Sequence, residues 1–116
     1  MTAAFQLVID CAEPERLARF WAAALGYVPE PPPAGRGPRI WFQVVPEAKT
    51  IKNRLHIDVQ ASGGRQIPLE IRREQVDAAA RRLARLGATM IAVSQEGADH
   101  YAVAMRDPEG NEFDIN

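Results

Sequence analysis

Four side chains of this sequence could gather on one polar surface: Gln6, Gln43, His56 and Asp114. The clearest sits in Arg54-Leu55-His56-Ile57-Asp58-Val59, where Leu55, Ile57 and Val59 alternate with Arg54, His56 and Asp58. Successive side chains of a strand point to opposite faces, so the pattern predicts a strand with an apolar back and an ionisable front. The same division recurs three times. Phe5, Leu7 and Ile9 alternate with Gln6, Val8 and Asp10; Ile40, Phe42 and Val44 with Trp41, Gln43 and Val45; Phe113 and Ile115 with Glu112 and Asp114. With each apolar set turned towards helices, two amides, an imidazole and a carboxylate share the open face of a sheet. Such groups can bind a ligand by hydrogen bonds or move a proton. A carboxylate drawn into such a surface needs a cation or a donor beside it. For Asp114 a metal ion, protonated His56 or Arg54 could fill that place. The plainer alternative is structural, with His56 and Asp58 satisfied inside a buried hydrogen-bond network.

The elements that must position these residues follow in order. After a first strand over residues 5–11, Pro14 suits the first turn of a helix, and Glu13 and Glu15 complement its dipole. Leu17, Phe20, Trp21, Ala24 and Leu25 recur at helical spacing, and Gly26 ends the helix. Tyr27 and Val28 are expected to begin a short strand. Residues 29–38, rich in proline and glycine, form a loop that acts either as a lid or as a stiff connection. Arg39–Val45 is the next strand, stopped by Pro46. Ser62-Gly63-Gly64 marks a turn, and Val76, Ala79, Ala80 and Leu83 give a second helix ending at Leu86-Gly87. Strands over 89–93 and 101–105 follow, and Asp107-Pro108-Glu109-Gly110 has the composition of a type I turn. His100 is expected at the surface. Leu55, Ile57, Phe20 and Leu25 are expected in the core.

With 116 residues, 47% hydrophobic and 25% charged, the chain suits one globular domain or two small halves. A net charge of −1 gives no footprint for nucleic acid or an anionic membrane, and the apolar runs fall short of a bilayer span. No secretory signal is expected, since Met1-Thr2 leads straight into a strand pattern. Cys11, the single cysteine, excludes an internal disulfide, fits a reducing cytoplasm and reads as a small buried residue at a strand end.

The order strand, helix, strands occurs twice, with Ala24-Leu25-Gly26 and Arg85-Leu86-Gly87 at equivalent points, which suggests an internal duplication. In Phe20-Trp21-Ala22-Ala23-Ala24-Leu25-Gly26, Lys52-Asn53-Arg54-Leu55-His56-Ile57-Asp58 and Asp107-Pro108-Glu109-Gly110-Asn111-Glu112-Phe113, the chain resembles the glyoxalase-like domains of the vicinal oxygen chelate (glyoxalase/bleomycin resistance/dioxygenase) superfamily. The resemblance implies an α+β fold of two βαβββ modules whose curved mixed sheets enclose a shared cavity. Residues 1–116 would be a single glyoxalase-like domain, module 1 at about 1–52 and module 2 at about 53–116, with the proline-rich loop replacing part of a strand.

The resemblance further implies metal ligands at Gln6, Gln43, His56 and Asp114, from the first and last strands of each module. This donor set suits a divalent ion such as Zn, Ni, Co or Mn, weakly held because only His56 and Asp114 are strong ligands. His56 and Asp114 would be catalytic in a metal-assisted lyase or isomerase acting beside a carbonyl of a small metabolite. Arg54 or Lys52 would hold an anionic substrate group, and Trp41 and Tyr101 would line the pocket. The alternative is a metal-free binding protein like the family's drug-sequestering, bleomycin-resistance members. A small-molecule ligand, a homodimer, a cytoplasmic location and no nucleic-acid or membrane partner complete these expectations.

Overall fold

The structure, a computed structural model, describes residues 5–28 and 38–116. The chain divides into two compact units, Met1–Thr50 and Ile51–Asn116. The described residues hold two sheets and two helices, a mixed α+β architecture.

In the first unit, strand β1 (Gln6–Cys11) runs parallel to β2 (Arg39–Val44), with helix α1 (Pro14–Leu25) between them in sequence. Pro14 opens α1 where its missing N–H costs nothing, and Gly26 closes it at φ 70°, a left-handed conformation that glycine adopts without a Cβ penalty. Leu17, Phe20, Trp21 and Ala24 are buried, and the Phe20 and Trp21 rings meet edge to face at 5.2 Å. Leu25 is only half-buried. Tyr27 and Val28 form no strand; the Tyr27 hydroxyl donates to the Pro38 carbonyl at 3.0 Å instead, drawing the chain after α1 towards the start of β2. The lid or stiff connection expected at 29–38 lies, apart from Pro38, outside the described residues. Cys11 is buried at the end of β1, where its thiol approaches the Gln43 carbonyl at 3.6 Å.

The second unit is a β-α-β-β-β arrangement. Strand β3 (Asp58–Val59), helix α2 (Leu69–Arg85) and strands β4 (Thr89–Ser94), β5 (Ala102–Arg106) and β6 (Glu112–Ile115) make a sheet of order β3-β6-β5-β4. β3 runs parallel to β6, and the other pairs are antiparallel. Val103 faces Ile115 and Met105 faces Phe113 across β5 and β6, and this face packs against Val76, Ala80 and Leu83 of α2 to form the core. β1 and β2 in the first unit, and β3 and β6 in the second, are therefore parallel neighbours.

Two features pin this unit. The buried Arg72 guanidinium pairs with the Asp99 carboxylate, donates from Nε to the Ile67 carbonyl at 2.8 Å and from Nη1 to the Asp99 carbonyl at 3.1 Å, tying the segment before β5 to α2. At the β5–β6 turn the buried Asp107 accepts the backbone N–H groups of Glu109 and Asn111, both at 2.9 Å. This is the turn expected from Asp107-Pro108-Glu109-Gly110, held by an aspartate that hydrogen-bonds its own following backbone.

The strand expected over 54–59 is reduced to Asp58–Val59. Leu55, expected in the core, is 87% exposed, and Ile57 is half-buried. The cause is upstream: Glu112 of β6 takes the Asn53 backbone N–H at 2.9 Å, so the residues between Asn53 and Ile57 bend away from the sheet before the ladder resumes.

Candidate metal centre

β3 and β6 place Asp58 directly opposite Asp114. Side chains on directly paired residues share a face, and Phe113 and Ile115 occupy the helix-covered side, so both carboxylates stand on the open side of the sheet. His56, at the end of the bend, brings Nε2 to 3.1 Å from Asp58 Oδ1 and 3.5 Å from Asp114 Oδ2. One donor atom from each residue lies within 4.8 Å of the other two. All three side chains keep substantial solvent access: 42% for His56, 51% for Asp58 and 39% for Asp114.

This geometry can do two things. With the imidazole protonated, Nε2–H is shared between two carboxylates as a charge-assisted hydrogen bond. With the imidazole neutral, one nitrogen and two carboxylate oxygens face a common point, a donor set that suits a divalent first-row ion. The residues present therefore fit a metal.

His56 and Asp114 are the expected members of this site, whereas the sequence alone offers Asp58 only a structural hydrogen bond. The signal for Asp58 was in the same alternation, because His-Ile-Asp puts its two polar residues on one side of a strand.

The two amides lie in the first unit, and the structure does not bring them side by side. Gln6 pairs with Arg39, and Gln43 pairs with Asp10, four residues further along. That separation is about 13 Å along the strand. Asp10 faces Gln43 across β1 and β2 as Asp58 faces Asp114 across β3 and β6, and Val8 precedes Asp10 by two residues as His56 precedes Asp58.

Of the expected substrate-binding residues, Trp41 is 51% exposed on β2, opposite the exposed Val8. Arg54 is exposed in the bend before His56, as is Lys52. Tyr101 lies elsewhere. It is 8% exposed, shares the face of Val103 and Met105, and donates its hydroxyl to Asp77 Oδ1 of α2 at 2.5 Å. It therefore belongs to the helix-covered side of the sheet, opposite the carboxylates. The strand expected over 101–105 forms as Ala102–Arg106, and Tyr101 just before it has the parity of buried Val103 and Met105. His100 is half-buried.

The bond to Asp77, with burial second, holds the Tyr101 hydroxyl above its ordinary phenol value, although Arg73, 5.1 Å above the ring, works against this. The unfolded chain releases that proton near the ordinary value of about 10, and the folded chain retains it to higher pH. The contribution is therefore complete below about pH 10 and is lost as pH rises through the folded value. Tyr101→Phe should cost about 1–2 kcal/mol at neutral pH and flatten the alkaline decline. Urea denaturation of both proteins from neutral to alkaline pH measures both effects.

The fold recurs in solved proteins. A glyoxalase/bleomycin resistance protein/dioxygenase family enzyme from Burkholderia phytofirmans PsJN superposes with a TM-score of 0.67 at 21% identity, over 96% of this chain and 94% of that one. A variant of the fosfomycin resistance protein FosX from Listeria monocytogenes, complexed with Mn(II) and 1S,2S-dihydroxypropylphosphonic acid, gives 0.68 at 15% identity, over 100% and 90%. Lactoylglutathione lyase from Agrobacterium tumefaciens gives 0.58 at 15% identity, over 99% and 92%. No curated protein sequence matches. The family model described as glyoxalase-like domain matches residues 6–116. With that match over nearly its whole length, this chain belongs to the glyoxalase-like domain family.

Proposed function

We propose that this protein is a divalent-metal-dependent lyase or isomerase acting beside a carbonyl of a small metabolite. The meeting of His56 Nε2 with Asp58 and Asp114 on the open side of the second unit's sheet carries the reading. A solved neighbour of the same fold, the FosX variant, is complexed with Mn(II), which supports it.

His56 Nε2 and one oxygen from each aspartate would hold the ion, with Zn, Ni, Co and Mn all suited to the donor set. When bound, such an ion polarises a substrate oxygen and acidifies the neighbouring C–H. Asp114, fixed between β3 and β5, is the general base: its second oxygen takes that proton. In an isomerisation it returns the proton to the adjacent carbon or the opposite face. In a lyase reaction the electron pair left by the C–H bond expels a leaving group from the neighbouring carbon.

In this reading the two units are the βαβββ-type modules of one domain, module 1 at about 1–52 and module 2 at about 53–116, around a shared cavity. Gln43 would be the ligand from module 1. Gln6, four residues along β1 from the level of Gln43, would orient substrate by a hydrogen bond. Arg54 or Lys52 would hold a substrate carboxylate, and Trp41 would cover its apolar part. Buried Cys11 suits a reducing cytoplasm.

The test is deuterium exchange at carbons next to the carbonyl in a panel of small ketones and 2-oxo acids, with Mn(II)-loaded protein in heavy water. Enzyme-dependent exchange that Asp114→Asn removes supports the reading. Uptake of Mn(II) without exchange in any member of the panel counts against it.

A metal-free binding protein is the second reading, favoured by exposed Trp41 and Val8 side by side on the strand face that also carries Gln43. Ligand binding by the parent and His56→Ala proteins would then be equal, with or without metal.

A homodimer belongs to the same proposal. β4 is an edge strand with Met90, Ile91 and Val93 exposed, a surface that sheets usually cover. Light scattering at about 50 μM, a concentration that saturates a micromolar dimer, should give twice the chain mass; a monomer would reject this part.

A further inference from the structure

The bend that carries His56 has a defined geometry. Asp58 opposite Asp114 is a parallel ladder position, and an unbroken ladder would put His56 opposite Glu112. Glu112 holds Asn53 instead. Its Oε2 accepts the Asn53 backbone N–H at 2.9 Å, and its carbonyl accepts the Asn53 side-chain amide at 3.4 Å. The ladder resumes where the Asp114 N–H donates to the Ile57 carbonyl at 3.1 Å and the Asn116 N–H to the Val59 carbonyl at 3.0 Å.

Between the anchors Asn53 and Ile57 lie three residues, Arg54, Leu55 and His56. Between the matching anchors Glu112 and Asp114 lies only Phe113. The excess must leave the sheet, and it does: the backbone bends at Arg54 and Leu55, and the Leu55 side chain stands in solvent. Extra residues of this kind re-aim the side chains beside them. Here the side chain is His56, which would otherwise continue the ladder above Glu112. It reaches back to the carboxylates of Asp58 and Asp114 instead.

We infer that Asn53 and Glu112 are positioning residues for His56: their clamp fixes the length of the bend, which sets the imidazole over the two aspartates. The consequence for metal rests on the metal-centre reading above; the placement of the imidazole does not. Neither residue is within the three-residue centre, and both are half-buried, so the clamp is partly shielded from competing water.

The experiment compares Glu112→Ala, Glu112→Gln and Asn53→Ala with the parent in two measurements. The first is Mn(II) affinity by calorimetry, with the visible spectrum of the Co(II) form. The second is the ¹⁵N spectrum of the His56 imidazole without metal, assigned by its loss in His56→Ala. Glu112→Ala should weaken Mn(II) binding about tenfold, the lower end of what orienting groups contribute to metal affinity. It should also alter the Co(II) spectrum and shift the apo His56 signals towards those of a solvated imidazole. Asn53→Ala should do the same in smaller degree, because the backbone N–H remains. Glu112→Gln keeps an acceptor oxygen and should stay within about twofold of the parent.

Parent-like affinity, Co(II) spectrum and His56 signals in Glu112→Ala would overturn the inference, whatever happens to its melting temperature. A Glu112→Gln protein as impaired as Glu112→Ala would also overturn it, since the effect would then come from lost charge. If the parent takes up no metal, the metal-centre reading fails, and the apo His56 signals still decide the clamp.

Discussion

Phe113→Ala should destabilise the protein by about 3–5 kcal/mol, the usual cost of removing a fully buried aromatic side chain. Phe113 is 1% exposed, lies opposite Met105 on the central pair of strands, and faces the side covered by Val76, Ala80 and Leu83. The ring's loss would leave a void bounded by a sheet and a helix that are each fixed by their own backbone bonds, so little collapse can refill it. Leu55→Ala, on a side chain in solvent, should change stability by less than about 0.5 kcal/mol. Urea denaturation of both variants separates them. A Leu55→Ala protein destabilised as much as Phe113→Ala would mean that residues 54–59 pack as a full strand, contrary to the bend.

The second large effect concerns binding. His56→Ala should weaken Mn(II) uptake by at least about 100-fold, since it removes the only nitrogen donor of a three-residue set and leaves two partly hydrated carboxylates. The fold should persist, because His56 lies in the bend rather than in a strand or helix and its side chain is 42% exposed. Circular dichroism should match the parent while calorimetry loses its binding isotherm.

Much of this architecture is legible from periodicity. Helix α1 is marked by Leu17, Phe20, Trp21 and Ala24 at helical spacing between Pro14 and Gly26, and the structure buries those four residues. The turn at Asp107 is marked by its own chemistry, since an aspartate followed by proline and glycine bonds its own backbone. Helix α2 begins at Leu69, earlier than Val76, Ala79, Ala80 and Leu83 suggest, and its first turns bury Arg72 in an ion pair that no hydrophobic pattern displays.

What stayed hidden depends on long-range pairing. Leu55 and His56 alternate as a strand should, and nothing nearby in sequence reveals that Glu112, 59 residues from Asn53, interrupts the ladder. Alternation also fixes only a face, never a register. Gln6 and Gln43 share a face by alternation, yet the pairing of Gln6 with Arg39 and of Asp10 with Gln43 sets the two amides four residues apart along the strands. The same limit explains Asp58. Its face was evident from His-Ile-Asp, but its position opposite Asp114 emerges only once β3 and β6 are paired.

Whether His56, Asp58 and Asp114 hold a divalent ion is decided by calorimetric titration of chelator-stripped protein with Mn(II), Co(II), Ni(II) and Zn(II). One ion per chain should bind for at least one of these metals, with binding lost in His56→Ala and weakened in both Asp58→Asn and Asp114→Asn. No binding of any of the four ions, or binding that His56→Ala leaves unchanged, would contradict it.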